Sequence, residues 1–296
     1  MRATNIQFTE LAATDDAPNI LVSHDVMVVS GVPEEALDTV LAQCGLHVRD
    51  RVELTTPRDR AGRVFGPLEW PVGEEICPTQ DSLGPDGPPR LKAVRLLDDP
   101  DWAYTLAPTE RICDLLPGAL LDRLRDGGWE LERNFHKGFG IGWKEAFGVP
   151  DLDALEALLS SQAARLEQGS GRLSTIRHLS AFVTDAAGDA SWCNQFLFLN
   201  SFSLGPRRSL LARAFAGRFP IETRFGDGSP VTESEVAIMQ AAYDDATTTL
   251  QLNAGDLLVV DNHRIALGRT PSHAEIRTET VTADAAVGLM KEISVD

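Results

Sequence analysis

The sequence predicts a mainly β protein with flanking helices. Short apolar stretches are bounded by turn residues, as in residues 257–260, a β-branched run too short for a helix that follows the turn residues 253–256. Longer segments carry helical spacing, for example residues 151–166, which begin with acidic residues. With 296 residues, 43% of them hydrophobic, the chain can bury one large core, so we expect a single domain over residues 1–296.

The other elements follow in chain order. A helix is predicted to begin at Pro33, because proline suits the first helical turn and two glutamates follow it. A later helical segment is predicted to end at Gly127 and Gly128, which suit a C-cap. The apolar pattern predicts strands at residues 26–29, 91–97, 176–183 and 192–199, and helices at residues 33–44, 108–124, 206–216 and 233–246.

The chain is strongly acidic, with a formal net charge of −17 and an isoelectric point near 4.7. Nucleic acid and anionic membrane would both be repelled by this charge, so we expect neither as a partner. The first residues lack an apolar signal region, and no run approaches the ~18 apolar residues of a membrane-spanning helix. These features predict a cytoplasmic protein.

The four cysteines are scattered along the chain without C-x-x-C spacing, at Cys44, Cys77, Cys113 and Cys193. This distribution argues against a structural zinc site and against a disulfide framework. It favours a reduced, intracellular setting.

Residues 253–271, NAGDLLVVDNHRIALGRTP, carry the most informative motif in the chain. The segment resembles the C-terminal signature of the TauD/TfdA (clavaminate-synthase-like) family of Fe(II)/2-oxoglutarate oxygenases, roughly G-D-x-L-x-x-D-N-x-x-x-x-H-G-R-x-P. The frame matches from Gly255 to Pro271. At the position of the distal iron-binding histidine, however, this chain has Leu267, which has no lone pair to offer a metal.

The first half of the family's metal site reads approximately I-P-L-H-x-E/D, and residues 76–81, ICPTQD, are similar to it. They lie in a Pro-, Gly- and charge-rich loop predicted at residues 55–89. Asp81 keeps the carboxylate position, but Thr79 replaces the histidine. Since a threonine hydroxyl is a poor ligand beside imidazole, the usual iron binding is expected to be lost or very weak. Asp81 is therefore either a retained acid or base, or a turn residue.

Further segments extend the resemblance from about residue 28 to residue 277. Residues 132–148, ERNFHKGFGIGWKEAFG, resemble R-N-x-x-x-G-x-G-x-x-W-x-x-x-F-G of the amino-acid-tailoring branch, and residues 225–230, FGDGSP, resemble Y-G-D-G-S-P. The resemblance implies a double-stranded β-helix, a cupin-like jelly roll with flanking helices, which the short predicted strands also allow. It also implies that Thr105 is the counterpart of a threonine that contacts 2-oxoglutarate, while Trp102 takes space that a co-substrate would need.

Several other polar residues are candidates for a binding site. Arg269 and Arg277 can hold a carboxylate by bidentate hydrogen bonds, and Arg277 is the nearest counterpart of the arginine that grips 2-oxoglutarate in the family. Asn194 and Gln195, in a segment similar to W-F-N-Q, are either substrate-contacting amides or satisfied structural groups.

Two histidines are candidates for acid or base chemistry. His263 lies four residues before Leu267, about 13 Å along a strand, which is too far to replace the missing iron ligand directly. His136 lies in the glycine-rich segment that the resemblance implies is near the mouth of the active site. Each is alternatively a hydrogen-bonded structural group.

These observations predict a divergent oxygenase-fold protein of natural-product biosynthesis that has lost the usual iron triad. We expect it to act on a small amino-acid-like or carrier-bound substrate by metal-independent chemistry, with Asp81, His263 or His136 as acid or base. One alternative is a noncanonical Fe(II)/2-oxoglutarate-dependent oxygenase with substitute ligands, the only case in which those cofactors are expected. Another is a non-catalytic protein that binds a partner or a small carboxylate.

Overall fold

The computed structural model describes residues 1–12, 23–49, 53–55, 60–61, 64–65, 73–84, 87–136, 140–162, 164–169, 172–185, 188–205, 207–215, 218–274 and 276–285. Within these ranges, none of the helices has the length and apolar character needed to cross a bilayer.

Two sheets face each other in the described structure. The larger sheet has the strand order β1-β2-β16-β7-β18-β5-β4, with β3 also paired to β18. Its strands are β1 (Ala3–Gln7), β2 (Val26–Ser30), β3 (Leu46–Val48), β4 (Arg60–Ala61), β5 (Val64–Phe65), β7 (Leu91–Leu96), β16 (Leu257–Asp261) and β18 (Thr278–Ala285). All pairs in this sheet are antiparallel except β1 and β2, which are parallel.

The smaller sheet is antiparallel, with the order β15-β8-β17-β6. Its strands are β6 (Ile76–Thr79), β8 (Tyr104–Pro108), β15 (Thr248–Leu250) and β17 (Ile265–Arg269). Consecutive strands β16 and β17 belong to different sheets, so the short turn between them connects the two layers. Apolar side chains of both sheets, including Val94, Leu106, Leu258 and Ile265, form one buried cluster. The predicted fold class, a double-stranded β-helix with flanking helices, is confirmed.

Helices cover the outer faces of both sheets. They are α1 (Phe8–Ala12), α2 (Leu37–Gln43), α3 (Thr109–Leu115), α4 (Gly118–Gly127), α5 (Trp143–Phe147), α6 (Leu152–Ser161), α7 (Arg207–Ala214) and α8 (Glu233–Ala246). Val40 of α2 is in the same buried cluster as Leu257 and Val259, whereas Leu258 and Val260 face the other sheet. Because β16 is buried on both faces, its sequence is an uninterrupted apolar run.

A third sheet lies beside the sandwich. It has the order β10-β11-β9-β14 and contains β9 (Trp129–Phe135), β10 (Arg165–Gly169), β11 (Arg172–Leu179) and β14 (Ile221–Phe225), while β12 (Phe182–Thr184) pairs with β13 (Ala190–Trp192). Trp129 and Phe225 join the buried cluster that contains Ala266 of β17. Leu155 of α6 and Phe147 of α5 form a separate cluster beside β9. The third sheet and the smaller sheet of the sandwich therefore contribute to one buried apolar cluster.

Several predicted elements are confirmed closely. The helix predicted at residues 233–246 is α8, which begins with a capping box: Thr232 Oγ1 accepts from the backbone N–H of Glu235, and the Glu235 side chain accepts from that of Thr232. Gly255 has a φ of 81° in the turn before β16, and Gly128 has a φ of 65° after α4. Both glycines adopt the backbone conformation for which glycine is favoured.

Other predicted boundaries are wrong for identifiable local reasons. The helix predicted at residues 108–124 is interrupted at Leu116, because the residue before Pro117 is extended. The strand predicted at residues 192–199 ends at Trp192. There the backbone N–H of Phe196 bonds to the Asn194 side chain and that of Leu199 to the Gln195 carbonyl, so local bonds replace a sheet ladder.

Two further predictions also need correction. The helix predicted at residues 151–166 ends at Ser161, and β10 begins at Arg165. The predicted loop at residues 55–89 includes strand β6, and its residues 56–59, 62–63, 66–72 and 85–86 lie outside the described part of the chain.

The packing between the facing sheets predicts a large effect of truncation at Leu258, which has 0% exposure. We expect Leu258→Ala to lower the free energy of unfolding by about 2–5 kcal/mol, because it leaves a cavity that the two sheets cannot fully close. Chemical denaturation monitored by circular dichroism measures this loss. Leu210→Ala is the matched control, since Leu210 on α7 is 70% exposed and its removal should change stability by less than about 0.5 kcal/mol. Equal losses in both variants would contradict the assigned core.

Candidate functional site

A cavity of about 120 Å³, termed here the interior pocket, is lined by side chains from both facing sheets. The larger sheet contributes Lys92, Val94, Thr278 and Thr280, and the smaller sheet contributes Ile76, Thr79, Tyr104, Leu267, Gly268 and Arg269. The remaining lining residues are Glu53, Leu54, Thr55, Asp81, Leu83, Trp102, Gln195, Phe198 and Ile276. Charged and polar groups therefore occupy a place where a simple sandwich would have apolar side chains.

Strand alternation explains which residues of β7 reach this pocket. Leu91 and Ala93 are in the cluster that packs against α2, whereas Lys92 and Val94 line the interior pocket. Across the sheet, Thr280 of β18 is the register partner of Val94 and lines the pocket too.

Thr79 and Leu267 are register partners on the neighbouring strands β6 and β17. The register shifts after Leu267, and a Cβ placed on Gly268 would lie only 2.2 Å from the Ile76 carbonyl oxygen, so only glycine fits there. Both side chains line the interior pocket, and Thr79 Oγ1 is buried without a hydrogen-bond partner among the described residues. The two positions that the resemblance pairs with iron-binding histidines thus lie together.

Asp81 lines the same pocket and forms an ion pair with Lys92, whose Nζ lies 3.1 Å from Asp81 Oδ2. Both side chains are largely buried, with 23% and 15% exposure. An ammonium group therefore lies against the one carboxylate that the family motif retains.

The side chain of Asn262 holds the backbone of Asp81 in place. Its Oδ1 accepts from the Asp81 N–H at 2.9 Å, and its Nδ2 donates to the carbonyl oxygens of Asp81 and Pro89, each at 2.8 Å. Gln80, with 0% exposure, donates to the carbonyl oxygens of Asn262 at 2.7 Å and Trp192 at 2.9 Å. These bonds connect the loop after β6 to the turn after β16 and to β13.

Arg269 provides a buried cation at the end of β17, with 6% exposure. Its Nη1 donates to the carbonyl oxygens of Glu74 and Thr270 at 3.3 Å and 3.2 Å and to Ser272 Oγ at 3.4 Å. These bonds all use Nη1, and Arg269 lines the interior pocket, where its Nε and Nη2 N–H groups can donate to a ligand.

Neighbouring residues Asn194 and Gln195 have different environments. Asn194 has 1% exposure; its Nδ2 donates to the Ala181 carbonyl and its Oδ1 accepts from the Phe196 N–H. Gln195 lines the interior pocket and accepts weakly through Oε1 from the N–H and hydroxyl of Ser82, both at 3.5 Å. The structure therefore places the Gln195 amide at the pocket and uses the Asn194 amide to hold the local backbone.

Trp102 and Tyr104 form an aromatic wall of the interior pocket. Their ring centroids lie 4.8 Å apart in an edge-to-face arrangement, and each residue is 7% exposed. Trp102 therefore takes space beside the pocket, as its large side chain predicts.

The donor set of the interior pocket does not fit the 2-His-1-carboxylate iron site of the resembling family. That site needs two imidazoles and a carboxylate with open positions. Here the corresponding side chains are a threonine hydroxyl, a leucine and an aspartate paired to Lys92. Among the described residues, no three His, Cys, Asp or Glu side chains are grouped so as to hold a metal ion.

No protein-family model matches the chain. Dapdiamide synthesis protein DdaC of Enterobacter agglomerans is 28% identical over 174 residues, which are 57% of this chain and 53% of DdaC. The chain thus spans about half the length of that relative.

Solved structures similar to this chain include two oxygenases. Asparagine oxygenase AsnO has 14% identity over 94% of this chain and 78% of its own, with a TM-score of 0.49. PvcB, an Fe, α-ketoglutarate-dependent oxygenase from an isonitrile synthetic pathway, has 11% identity over 95% and 85% of the two chains, with a TM-score of 0.47.

Besides Asn194, four of the predicted site residues lie outside the lining of the interior pocket. Thr105 is the register partner of Gly268, and its buried hydroxyl has no hydrogen-bond partner among the described residues. Arg277 is exposed and pairs with Asp98 at 3.1 Å. The ring of His136 lies 4.4 Å from that of Phe215. The fourth residue is His263.

His263 is a buried residue of the turn between β16 and β17. Its backbone N–H donates to Asp261 Oδ1 at 3.0 Å, and its Nε2 lies 3.4 Å from the Pro88 carbonyl oxygen. Burial, followed by the nearby positive charge of Arg90, lowers the pKa of His263. The neutral imidazole is therefore favoured near neutral pH.

Lys92 is a pocket residue that no sequence motif indicated. The sequence feature that could have indicated it is a charged side chain within the apolar run of β7. The same run also contains Arg95, which pairs with Glu279 at 2.8 Å on the opposite face of the sheet, so a charge in this run does not by itself indicate a pocket residue. Glu53 was missed too, although it lines the pocket and binds two buried arginines, Arg133 at 2.7 Å and Arg177 at 2.8 Å. Its isolated sequence context carries no signal for this cluster.

The contacts of Asn262 predict that its side chain is needed for stability. We expect Asn262→Ala to lower the free energy of unfolding by about 3 kcal/mol, because it leaves the N–H and carbonyl of Asp81 and the carbonyl of Pro89 without this partner. Chemical denaturation gives the value. Asn5→Ala, at an exposed position of β1, is the control and should change stability by less than about 0.5 kcal/mol. A loss in Asn262→Ala no greater than in the control would contradict the anchoring role.

The lowered pKa of His263 predicts a pH dependence of stability. The unfolded chain binds a proton at the ordinary pKa of about 6.5, whereas folded His263 binds it only at lower pH. The free energy of unfolding should therefore fall as the pH drops below about 6.5, and His263→Gln should flatten this slope. Denaturation at a series of pH values tests this, with His47→Gln at an exposed position as control. An unchanged slope in His263→Gln would contradict the prediction.

Proposed function

We propose that this chain is a divergent TauD/TfdA-like protein of natural-product biosynthesis that binds an amino-acid-like substrate in the interior pocket and does not use the family's iron chemistry. One observation carries the proposal. Thr79 and Leu267 face each other on neighbouring strands, and the adjacent Asp81 is paired with Lys92.

The ion pair argues against iron at this place. A divalent cation beside Asp81 would have to displace or repel the Lys92 ammonium, which lies 3.1 Å from the carboxylate. The other two positions offer a weak neutral oxygen and no donor at all. We infer that Lys92 supplies the positive charge that a metal supplies in the resembling enzymes.

The polar groups of the pocket suit a carboxylate with a nearby amine or amide. Lys92, the free N–H donors of Arg269 and the amide of Gln195 can donate to a substrate carboxylate. Asp81 can accept from a substrate amine or amide N–H. The side chains of Trp102 and Tyr104 exclude water from one wall, which strengthens these interactions.

Acid or base work in this pocket is assigned to Asp81. Asp81 lines the pocket beside Lys92, whereas His263 and His136 are directed to contacts elsewhere. A proton taken from substrate would be held on the Asp81 carboxyl group, beside the Lys92 ammonium.

The relation to DdaC supports a role in small-molecule biosynthesis, since 28% identity extends over 57% of this chain. The similarity leaves the substrate itself open to experiment. A carrier-bound amino-acid-like substrate remains part of the proposal, because attachment through the carboxyl group would leave the amine for Asp81.

A non-catalytic protein that binds a small carboxylate is the second candidate. The ion pair between Asp81 and Lys92 favours this candidate, because a carboxylate that is already paired can contribute to ligand binding without taking part in a reaction. Formation of a product from a bound substrate would show that the chain is an enzyme. Binding of a carboxylate without any product would support the non-catalytic binding protein.

The proposal predicts that the purified chain holds far less than one iron per molecule after incubation with Fe(II). We also expect no succinate release from 2-oxoglutarate above that of a blank. Elemental analysis and a 2-oxoglutarate turnover assay measure both quantities. Stoichiometric iron together with succinate release by the unaltered chain would overturn the proposal.

A gain-of-metal series sharpens this test. In the triple variant Thr79→His, Leu267→His and Lys92→Met, two imidazoles and a carboxylate no longer bound to Lys92 would be available, so iron content should rise toward one per chain. The matched control keeps Lys92 and replaces only Thr79 and Leu267. It should bind iron more weakly, and equal binding in both variants would show that Lys92 does not oppose the metal.

A further inference from the structure

A second cavity of about 300 Å³, termed here the side pocket, adjoins the interior pocket. Thr55 and Phe198 line both cavities. The side pocket extends from there between β9, β14 and α7. Its apolar lining includes Phe135, Ile141, Phe198, Leu204, Leu211 and Ile221.

The partition between the two cavities is a buried ion cluster. Glu53 and Leu54 line the interior pocket, whereas Arg133 lines the side pocket. Arg133 donates through Nη1 to Glu53 Oε1 and through Nη2 to the Leu54 carbonyl oxygen, both at 2.7 Å. Arg177 also contacts Glu53, at 2.8 Å. Removing Glu53 would leave two buried guanidinium groups without their shared carboxylate, so the partition depends on Glu53.

The polar side chains of the side pocket are already engaged within the protein. Asn134 Nδ2 donates to Glu132 Oε1 and the Phe219 carbonyl oxygen, and its Oδ1 accepts from the Ser174 hydroxyl. Asn200 Nδ2 donates to the hydroxyl of Thr223. A ligand therefore meets mainly apolar surface in this cavity.

The volume of the side pocket is sufficient for an apolar group of a small molecule. An apolar cavity of about 150 Å³ holds a benzene molecule, so one of 300 Å³ admits an aromatic ring or a medium-length alkyl chain. The interior pocket, at 120 Å³, has room for little more than a polar head group. Because Thr55 and Phe198 line both cavities, one small molecule can place a polar head group in the interior pocket and an apolar group in the side pocket.

We propose that the substrate is an amino acid whose amine carries an apolar acyl group. The inference rests on the proposed function of the interior pocket. The carboxylate contacts Lys92 and Arg269, the amide N–H faces Asp81, and the acyl chain passes Thr55 and Phe198 into the side pocket.

The test is calorimetric titration of the full chain with the N-acetyl, N-butanoyl, N-hexanoyl and N-octanoyl derivatives of L-alanine. Burial of each added methylene should tighten binding by up to about fourfold until the side pocket is full. Leu211→Trp, which fills the side pocket, should abolish this chain-length gain. Leu210→Trp is the matched control, because Leu210 is the exposed neighbour on α7 and its replacement should preserve the gain.

The outcomes separate the two proposals. Binding of N-acetyl-L-alanine that does not tighten with chain length would overturn the acyl site and leave the proposed function intact. A gain that survives Leu211→Trp would place the chain elsewhere and overturn the inference. Lys92→Met should weaken the whole series, and octanoic acid binding as tightly as N-octanoyl-L-alanine would overturn the link between head and tail. No binding by any member of the series would overturn the acyl-chain inference, whereas the proposed function is overturned by stoichiometric iron together with succinate release.

Discussion

The Asn262 side chain is the contact on which the candidate site depends. It bonds to the N–H and carbonyl of Asp81 and so joins the loop after β6 to the turn after β16, although 181 residues separate the two in sequence. Gln80 extends the connection to Trp192. Because these segments come from different sheets and from the hairpin of β12 and β13, one buried amide network sets where the carboxylate of Asp81 lies.

The charge arrangement in the interior pocket follows from that placement. With Asp81 held by its backbone, its carboxylate meets Lys92 of β7, the strand on which the interior-facing residues alternate with those that pack against α2. The ammonium balances the carboxylate in a site with little exposure to water. Enzymes of the resembling family bind a metal ion in this fold. In the interior pocket of this chain, the positive charge beside Asp81 is the ammonium group of Lys92.

The two cavities differ in the chemical character of their linings. The interior pocket supplies Lys92 and Arg269 for an anionic group, and the side pocket offers apolar surface from the third sheet and α7. The buried Glu53, Arg133 and Arg177 cluster stands between them. Apolar packing of similar volume is often at least as stabilising as such a buried ion cluster. We infer that the cluster separates a polar compartment from an apolar one.

The sequence by itself determined the jelly-roll class, strand β16 and helix α8. These features are local: they depend on apolar runs, turn residues, caps and residue identity at a motif position. Boundaries near Leu116 and Trp192 were missed, because a proline and side-chain bonds to the backbone overrode the apolar pattern.

Only the tertiary structure decided which polar residues face the interior pocket. Arg269 lies inside it and Arg277 outside, and Gln195 reaches it while Asn194 does not. Lys92 meets Asp81 through the packing of separate elements, which no spacing along the chain encodes. The physical reason is that a side chain's direction depends on strand register and local hydrogen bonds, and its partners come from segments distant in sequence.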